Sequence, residues 1–418
     1  MACRSGKGDA IIRGARYAQG ANESVLGSIQ IASGRVSQMG SDIPSSSLSH
    51  IGSVDIDLSG YLVLPGLVNA HDHLQFALYP RLGDPPYQNY VEWGEDIHQK
   101  FADLIATHHL VPKLVRLWWG GIRNLLCGVT TVCHHDTLWP ELKRDGFPIR
   151  VIQQYGWGHS LAQGGNLIEA YRATPPGAVF IVHGCEGVDE WAKQELYEFD
   201  RLGLLDMRTV LIHGLALDEA GSDVLRSRRV SLVVCPSSNK FLFNCLPSMK
   251  ILRGVENLSI GSDSPLTAEG DLLDEVRFGI RHCNIRPEHA YAMVTEAPAR
   301  ALRLHEREGT IAAAGVGDLI AVDDTGLSPA ETLRSLSMHE IKFVMIGGCV
   351  QLASESIFDR LPSAAKEGLE ALRVDGLVRW LRAPVEDLLW QAESVLGSGQ
   401  VRLGGRAIRD PETDLSGA

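Results

Sequence analysis

The chain has 418 residues, 44% hydrophobic and 22% charged, which is enough apolar material for one large domain plus a smaller one and excludes a disordered protein. With 51 acidic against 39 basic residues, the net charge is −12 and no long run carries one sign. That balance speaks against nucleic acid or an anionic membrane as the main partner.

The opening stretch "MACRSGKGDAIIRG" lacks the apolar run of a secretion signal, and no later window approaches the ~18 unbroken apolar residues of a membrane span. The eight cysteines are scattered without a C-x-x-C pair, so reduced thiols and a cytoplasmic location are expected. Residues 9–64, with "AIIRGARYA", "SIQIASGRVSQMG" and "SVDIDLSGYLVL", alternate apolar and polar positions between Gly, Ser and Asn, which predicts short β-strands.

From residue 65 to 305 the texture changes. Val- and Ile-rich segments ("LVLPGLVNAH", "GVTTVCHHD", "IRVIQQYGW", "AVFIVHGCE", "RTVLIHGLAL", "RVSLVVCPSSN", "NLSIGSDSP") alternate with longer helical stretches. This predicts parallel strands with helices outside, an α/β fold of the TIM-like (β/α) barrel type. Only about 20 residues separate "IRVIQQYGW" from "AVFIVHGCE", so one β/α unit is expected to be lost or degenerate. Trp118 and Trp119, in the helical region 96–126, read as packing residues.

Residues 309–357 return to strands and are expected to join 9–64 in one composite β-sandwich domain beside the 65–305 barrel. Residues 358–418 read as an extension, helical over 363–395, ending in a loosely held tail.

Chemistry is expected where barrel strands end, because those ends form the mouth of such a barrel. "PGLVNAHDHLQF" closes a strand with His71 and His73, whose side chains share one face in an extended chain while Asp72 faces away. Alone, H-x-H is weak, since a chain with this His content holds one by chance roughly half the time. His183, His213 and Asp263 stand at three further strand ends, and the combined N/O set suits Zn²⁺, Fe²⁺ or Mn²⁺. Glu186 follows His183 by three residues, close enough to move protons without ligating an ion. Gln75, His135 and Asn239 are the candidate substrate contacts. The loop 79–96, aromatic and Pro-rich, is a candidate for specificity. His98, His108, His109, His282, His289, His305 and His339 read as helical or surface residues without chemistry.

Beyond these single features, the chain resembles the amidohydrolase superfamily, in its mononuclear branch of cytosine-deaminase-like and chlorohydrolase-like enzymes. The resemblance rests on "LSGYLVLPGLVNAHDH", "GVTTV", H-x-x-E at His183 to Glu186, "LIHGLALDEAG", "CPSSN", "IGSDSP", "EAPARALRL" and "GTIAAAGVGDLIAVD" in that order. It implies that His71, His73, His183 and Asp263 ligate one divalent ion, Zn²⁺ foremost. It also implies that Glu186 shuttles protons and that His213 orients water or polarises the bond under attack. No strand end offers the lysine that bridges two ions in binuclear relatives.

The activity so implied is attack of activated water on a C–N bond, in deamination of a heterocycle or opening of a cyclic amide or amidine. The alternatives are dehydrative ring closure at the same site and an inactive binding or assembly homologue. A small-molecule substrate and a homo-oligomer, a dimer, are expected.

Overall fold

The computed structural model describes residues 8–41, 43–44, 53–163 and 165–411; Cys3 and the end of the expected tail lie outside the described residues. Leu67–Asp72, Val129–His134 and Arg150–Val151 form a three-stranded parallel sheet. Tyr155–Gly158, Val179–Gly184, Thr209–His213, Ser231–Val234 and Ser259–Ile260 form a five-stranded one, also parallel. Residues 152–154 alone separate Arg150–Val151 from Tyr155–Gly158, too short a link for a crossover helix. One extended stretch therefore leaves the side of Val129–His134 and joins Val179–Gly184, serving both sheets at the place where a β/α unit is short.

Alternation within these strands sorts their side chains. Val68, Ala70, Val179, Ile181, Val210, Ile212 and Val233 pack into one inner cluster. Leu67, Val129, Phe180, Val182, Leu211 and Leu232 face the larger cluster shared with the helices. Strands buried on both faces are what a parallel sheet under helices requires.

Where Ser259–Ile260 runs past Leu67–Asp72 the connection is polar. Asp263 N–H donates to His71 O at 3.1 Å, and Ser262 N–H to Asn69 Oδ1 at 3.1 Å. A side chain at Gly261 would meet His71 Cβ at 2.6 Å, so only glycine allows this approach. Beneath it, Asp72 points away from the histidines, paired with Arg123 at 2.8 Å off the hydrogen-bonding line and accepting from Asn124 Nδ2 at 2.6 Å. Arg123 also donates to Asp263 O at 2.8 Å, tying the first strand to the last. Both members of the pair are buried. Arg123→Met should strand a buried carboxylate and cost about 3–5 kcal/mol, read as a lower urea midpoint. An unchanged midpoint would show the pair to be dispensable.

A twelve-stranded sheet is separate from these strands in its pairing and packs Leu62, Leu64, Ile320 and Val344 into the same core cluster as Leu67 and Val129. Tyr61–Pro65 pairs antiparallel with Leu319–Asp323 near its middle, with Ala10–Ala18, Ser24–Ala32 and Arg35–Gly40 on one side and Phe343–Ile346 and Cys349–Ser354 on the other. Glu370–Val374 and Leu377–Leu381 extend it as a hairpin, followed by the helix Val385–Leu396 and the short strands Arg402–Leu403 and Arg406–Arg409. This corrects the helical expectation for 363–395 and the loose tail as far as residue 411. Asp375 and Gly376 take positive φ (45° and 84°), the turn that joins twisted strands, and Leu372, Val374, Arg379 and Leu381 are buried at period two.

Six described cysteines are free thiols, but Cys349 is disulfide-bonded, which corrects the expectation of thiols throughout. No helix among the described residues is long and apolar enough to cross a membrane.

Candidate active site

Four strand ends bring their polar residues into one buried cluster. His71 Nε2 and His73 Nε2 each stand 3.3 Å from His183 Nε2. Asp263 Oδ1 lies 3.6 Å from His71 Nε2 and 3.8 Å from His73 Nε2. His183 Nδ1 is directed at His159 O, 2.9 Å away, which fixes its proton there and leaves the Nε2 lone pair for the cluster. Burial, with the neighbouring imidazoles, holds His73 and His183 well below the usual histidine range, so both rings are neutral and carry lone pairs.

These residues fit a divalent cation. Ligands about 2.1 Å from a tetrahedral zinc lie roughly 3.4 Å from one another, close to the spacing of the three nitrogens and Asp263 Oδ1. Three imidazole nitrogens and one carboxylate oxygen converging at such distances are a donor set that a single cation satisfies together.

Burial opposes ionisation of Asp263, yet its contact with His71 and the surrounding histidines hold the carboxyl well below the usual carboxylate range. Ser264 N–H donates to Oδ1 at 2.8 Å, and Ser238 Oγ and Thr267 Oγ1 donate to Oδ2 at 2.8 and 3.1 Å. His213 Nδ1 donates to Asn239 Oδ1 at 3.0 Å, turning Nε2 toward Glu186 Oε1 at 3.5 Å and Asp263 Oδ2 at 4.0 Å. Ser238 and Asn239 reach these positions from the helix Pro236–Phe243.

Alternation alone would send His213 outward with Leu211. Its left-handed backbone (φ 73°) turns the ring inward, and Asp263 (φ 50°), three residues beyond Ser259–Ile260, lies in the same region. Such conformations are costly for residues with side chains and gather at functional sites.

Glu186 stands beside the cluster and ligates nothing in it. It is 6% exposed, and burial, with Asp263 and Glu195 nearby, pushes its carboxyl well above the usual range. The turn that carries it is stitched to the 79–101 segment. Tyr90 N–H donates to Glu186 O at 3.2 Å, Val188 N–H to Gln88 O at 2.8 Å, and Asn89 Nδ2 to Asp189 Oδ2 at 2.7 Å. A side chain at Gly187 would strike Gln88 O at 2.6 Å, which explains the glycine. Behind the turn, Glu195 accepts from Cys185 N–H at 2.8 Å and Tyr90 Oη at 3.0 Å, and burial pushes its carboxyl up to about 7. Cys185 is itself left-handed (φ 55°).

A cavity of about 270 Å³ opens onto His73, His183, Glu186, His213 and Asp263. Of the candidate substrate contacts, none lines it. The strand ends at Asp72 and the chain curls into the turn Leu74–Phe76, so Phe76 takes the cavity wall and Gln75 is buried away from it. His135 stacks face-on against His183, with centroids 4.1 Å apart, and its Nε2 donates to Gly158 O at 3.0 Å, which makes it a buttress. Asn239 meets the site through its Oδ1, which accepts from His213 Nδ1 at 3.0 Å. Conversely, His98 and His109, read as bystanders, line the mouth.

His159, Gln163 and Glu195 were not singled out. His159 directly follows the strand Tyr155–Gly158, so the strand-end rule finds it once "IRVIQQYGW" is divided in two. Glu195 shares the buried helix face of Ala192, Leu196 and Phe199, an unusual place for a carboxylate.

Residues 177–350 match the Amidohydrolase family. A 5-methylthioadenosine/S-adenosylhomocysteine deaminase of Archaeoglobus fulgidus is 24% identical over 351 residues, covering 69% of this chain and 79% of the relative. A 5'-deoxyadenosine deaminase of Methanobrevibacter smithii is 22% identical, covering 84% of this chain and 95% of the relative. Among solved structures, a zinc-bound adenosine deaminase of Xanthomonas campestris superposes with a TM-score of 0.66 at 18% identity, covering 93% of this chain and 98% of that one. The zinc complex of atrazine chlorohydrolase from Arthrobacter aurescens gives 0.68 at 14% identity, covering 92% and 99%. Residues 177–350 of the chain therefore carry an Amidohydrolase family domain.

Proposed function

We propose that this chain, a metal-dependent hydrolase of carbon–nitrogen bonds other than peptide bonds, removes ammonia from an amino-substituted nitrogen heterocycle. In this reading His71, His73, His183 and Asp263, whose mutual contacts run from 3.3 to 3.8 Å, hold one divalent ion, zinc as in the similar structures; His135 and Cys235 stand within ligand distance of the same histidines and are left out of the set. An ion so held supplies Lewis-acid activation of the water nucleophile.

The observation that carries the reading is the place of Glu186, a buried carboxyl 3.5 Å from His213 Nε2 and outside the ligand contacts, where burial raises its pKa above the usual carboxylate range and favours proton carriage. Its carboxylate accepts a proton from the attacking water, and its carboxyl then delivers that proton to the departing amino nitrogen. His213, kept neutral by burial that lowers its pKa to about 4, presents Nε2 to the same space and orients the group under attack. Asp263 is fixed by three donors and accepts a hydrogen bond from the water as it aligns. The deaminase relatives support this direction of reaction, and the ring-closure alternative draws no support from them.

The test is ammonia release by zinc-loaded protein from a panel of aminopurines, aminopyrimidines and aminotriazines, with products identified by mass spectrometry. Ammonia loss with oxygen gained from water is the expected result; loss of water from a precursor would replace deamination by ring closure.

Glu195 acts through Glu186 in this scheme, as a positioning residue. Glu195→Ala should lower kcat roughly 10–100-fold with zinc content unchanged, because small displacements of a catalytic group are that costly. Glu195→Gln, which keeps an oxygen for Cys185 N–H, should recover most of it. Equal loss in both variants would count against positioning.

A further inference from the structure

We propose that Tyr79 is a specificity-determining residue, its hydroxyl donating a hydrogen bond to an acceptor that the substrate carries away from the carbon under attack. The inference rests on the deaminase reading of the site and deepens it. Tyr79 opens the aromatic, Pro-rich 79–96 segment and lines the same cavity as His73, His183, Glu186, His213 and Asp263. It is 2% exposed. Of the buried side-chain polar atoms without a hydrogen-bond partner among the described residues, Tyr79 Oη alone belongs to a wall of this cavity.

Neighbouring donors on the wall are spent inside the protein. Trp93 Nε1 donates to Leu82 O at 2.9 Å, Tyr90 Oη to Glu195 at 3.0 Å, and Thr267 Oγ1 to Asp263 at 3.1 Å. A hydroxyl buried without a partner destabilises the free protein, and a bound acceptor removes that cost. The ring is also held in place. Tyr79 N–H donates to Phe76 O at 3.0 Å, the Phe76 ring meets it edge-on at 5.4 Å, and the His108 ring, directed through Nδ1 at Leu104 O, tilts over it at 4.6 Å. A hydroxyl so fixed meets a ligand without reorganising.

The charge behind the wall sets the direction of the bond. Arg116 is buried, its Nε donates to Val111 O at 3.0 Å and its Nη1 to Gln75 O at 3.4 Å, and no carboxylate pairs with it among the described residues. This cation acts on Tyr79, while burial keeps the phenol above the usual tyrosine range and so protonated at neutral pH. A nearby cation favours the orientation in which the phenol oxygen faces it and the O–H faces away. The group met in the cavity is therefore an electron-rich atom, a carbonyl oxygen or an unprotonated ring nitrogen, and not an N–H.

The experiment compares zinc-loaded Glu186→Gln protein with the same protein carrying Tyr79→Phe as well, a change that removes the hydroxyl and keeps the ring. Both are titrated calorimetrically with cytosine, adenine and adenosine, each of which carries such an acceptor, and both are melted without ligand. At least one of the three should bind the protein that retains Tyr79, and Tyr79→Phe should weaken that binding roughly 5–100-fold. The ligand-free thermal midpoint should stay level or rise by about 1–3 °C, because an unpaired buried hydroxyl is gone. A midpoint that falls would make the hydroxyl a structural group and overturn the proposal, as would equal affinity in both proteins or no binding of any of the three at millimolar concentration. Binding is read without turnover, so a failure of the unsubstituted protein to release ammonia would refute deamination alone.

Discussion

Glu186→Gln is expected to retain zinc and to lose roughly two to four orders of magnitude in turnover, the usual share of a general acid–base group. The amide keeps the volume and outline of the side chain but has no proton to accept or deliver at the working pH. Glu186 stands 3.5 Å from His213 Nε2 and belongs to none of the nitrogen contacts that define the cluster, so its exchange leaves the ligand spacing intact. Tyr90 N–H bonds to the main-chain oxygen of residue 186, and the turn keeps its attachment to the 79–101 segment. Zinc per chain by elemental analysis and ammonia release on the substrate found in the panel make the check. Full activity, or loss of zinc with activity, would end the assignment of Glu186 as proton carrier.

His73→Ala should act at the other end of the division of labour. It removes one of three converging nitrogens and leaves His183 Nε2 and Asp263 Oδ1 with a gap on one side. Zinc affinity should fall by more than the roughly 10–100-fold typical of losing a supporting partner, because a ligand itself is gone. Dialysis against a weak chelator should strip the variant, leave the parent with one zinc per chain, and lower the thermal midpoint of the stripped protein. Two tightly held ions in the parent would contradict the single-ion reading.

Much of the site was legible because strand ends of a barrel converge whatever lies between them, so His71, His73, His183, His213 and Asp263 could be gathered from sequence order. Their orientation was less legible. Period-two alternation describes regular strands, whereas His213 and Asp263 face the site through left-handed backbone that no alternation encodes. The same limit misplaced Gln75: the strand gives way after Asp72 to a tight turn, and facing shifts to Phe76. His135, at the end of a strand, was open to two readings, a substrate contact or a structural support, and its face-on stacking on His183 is a matter of packing that spacing does not report.

In the fold, the short link at residues 152–154 showed in the sequence as a shortage of chain, while the 370–381 hairpin was hidden by residues that suit either a helix or a strand. The Asp375-Gly376 pair was the available signal. Glu195 was not singled out because the segment that buries it, around Tyr90, lies a hundred residues earlier.

The pairing of Tyr61–Pro65 with Leu319–Asp323 has a consequence for how the chain is made. The N-terminal strands leave the ribosome long before their partner strand exists, and until residue 319 emerges Tyr61–Pro65 presents an unpaired edge. Contacts so distant along the chain form slowly, and the barrel between them must condense first to bring the two ends together. Synthesis of this enzyme therefore passes through a stage with an open sheet margin, and its yield should respond to translation speed and to chaperones that shield such margins.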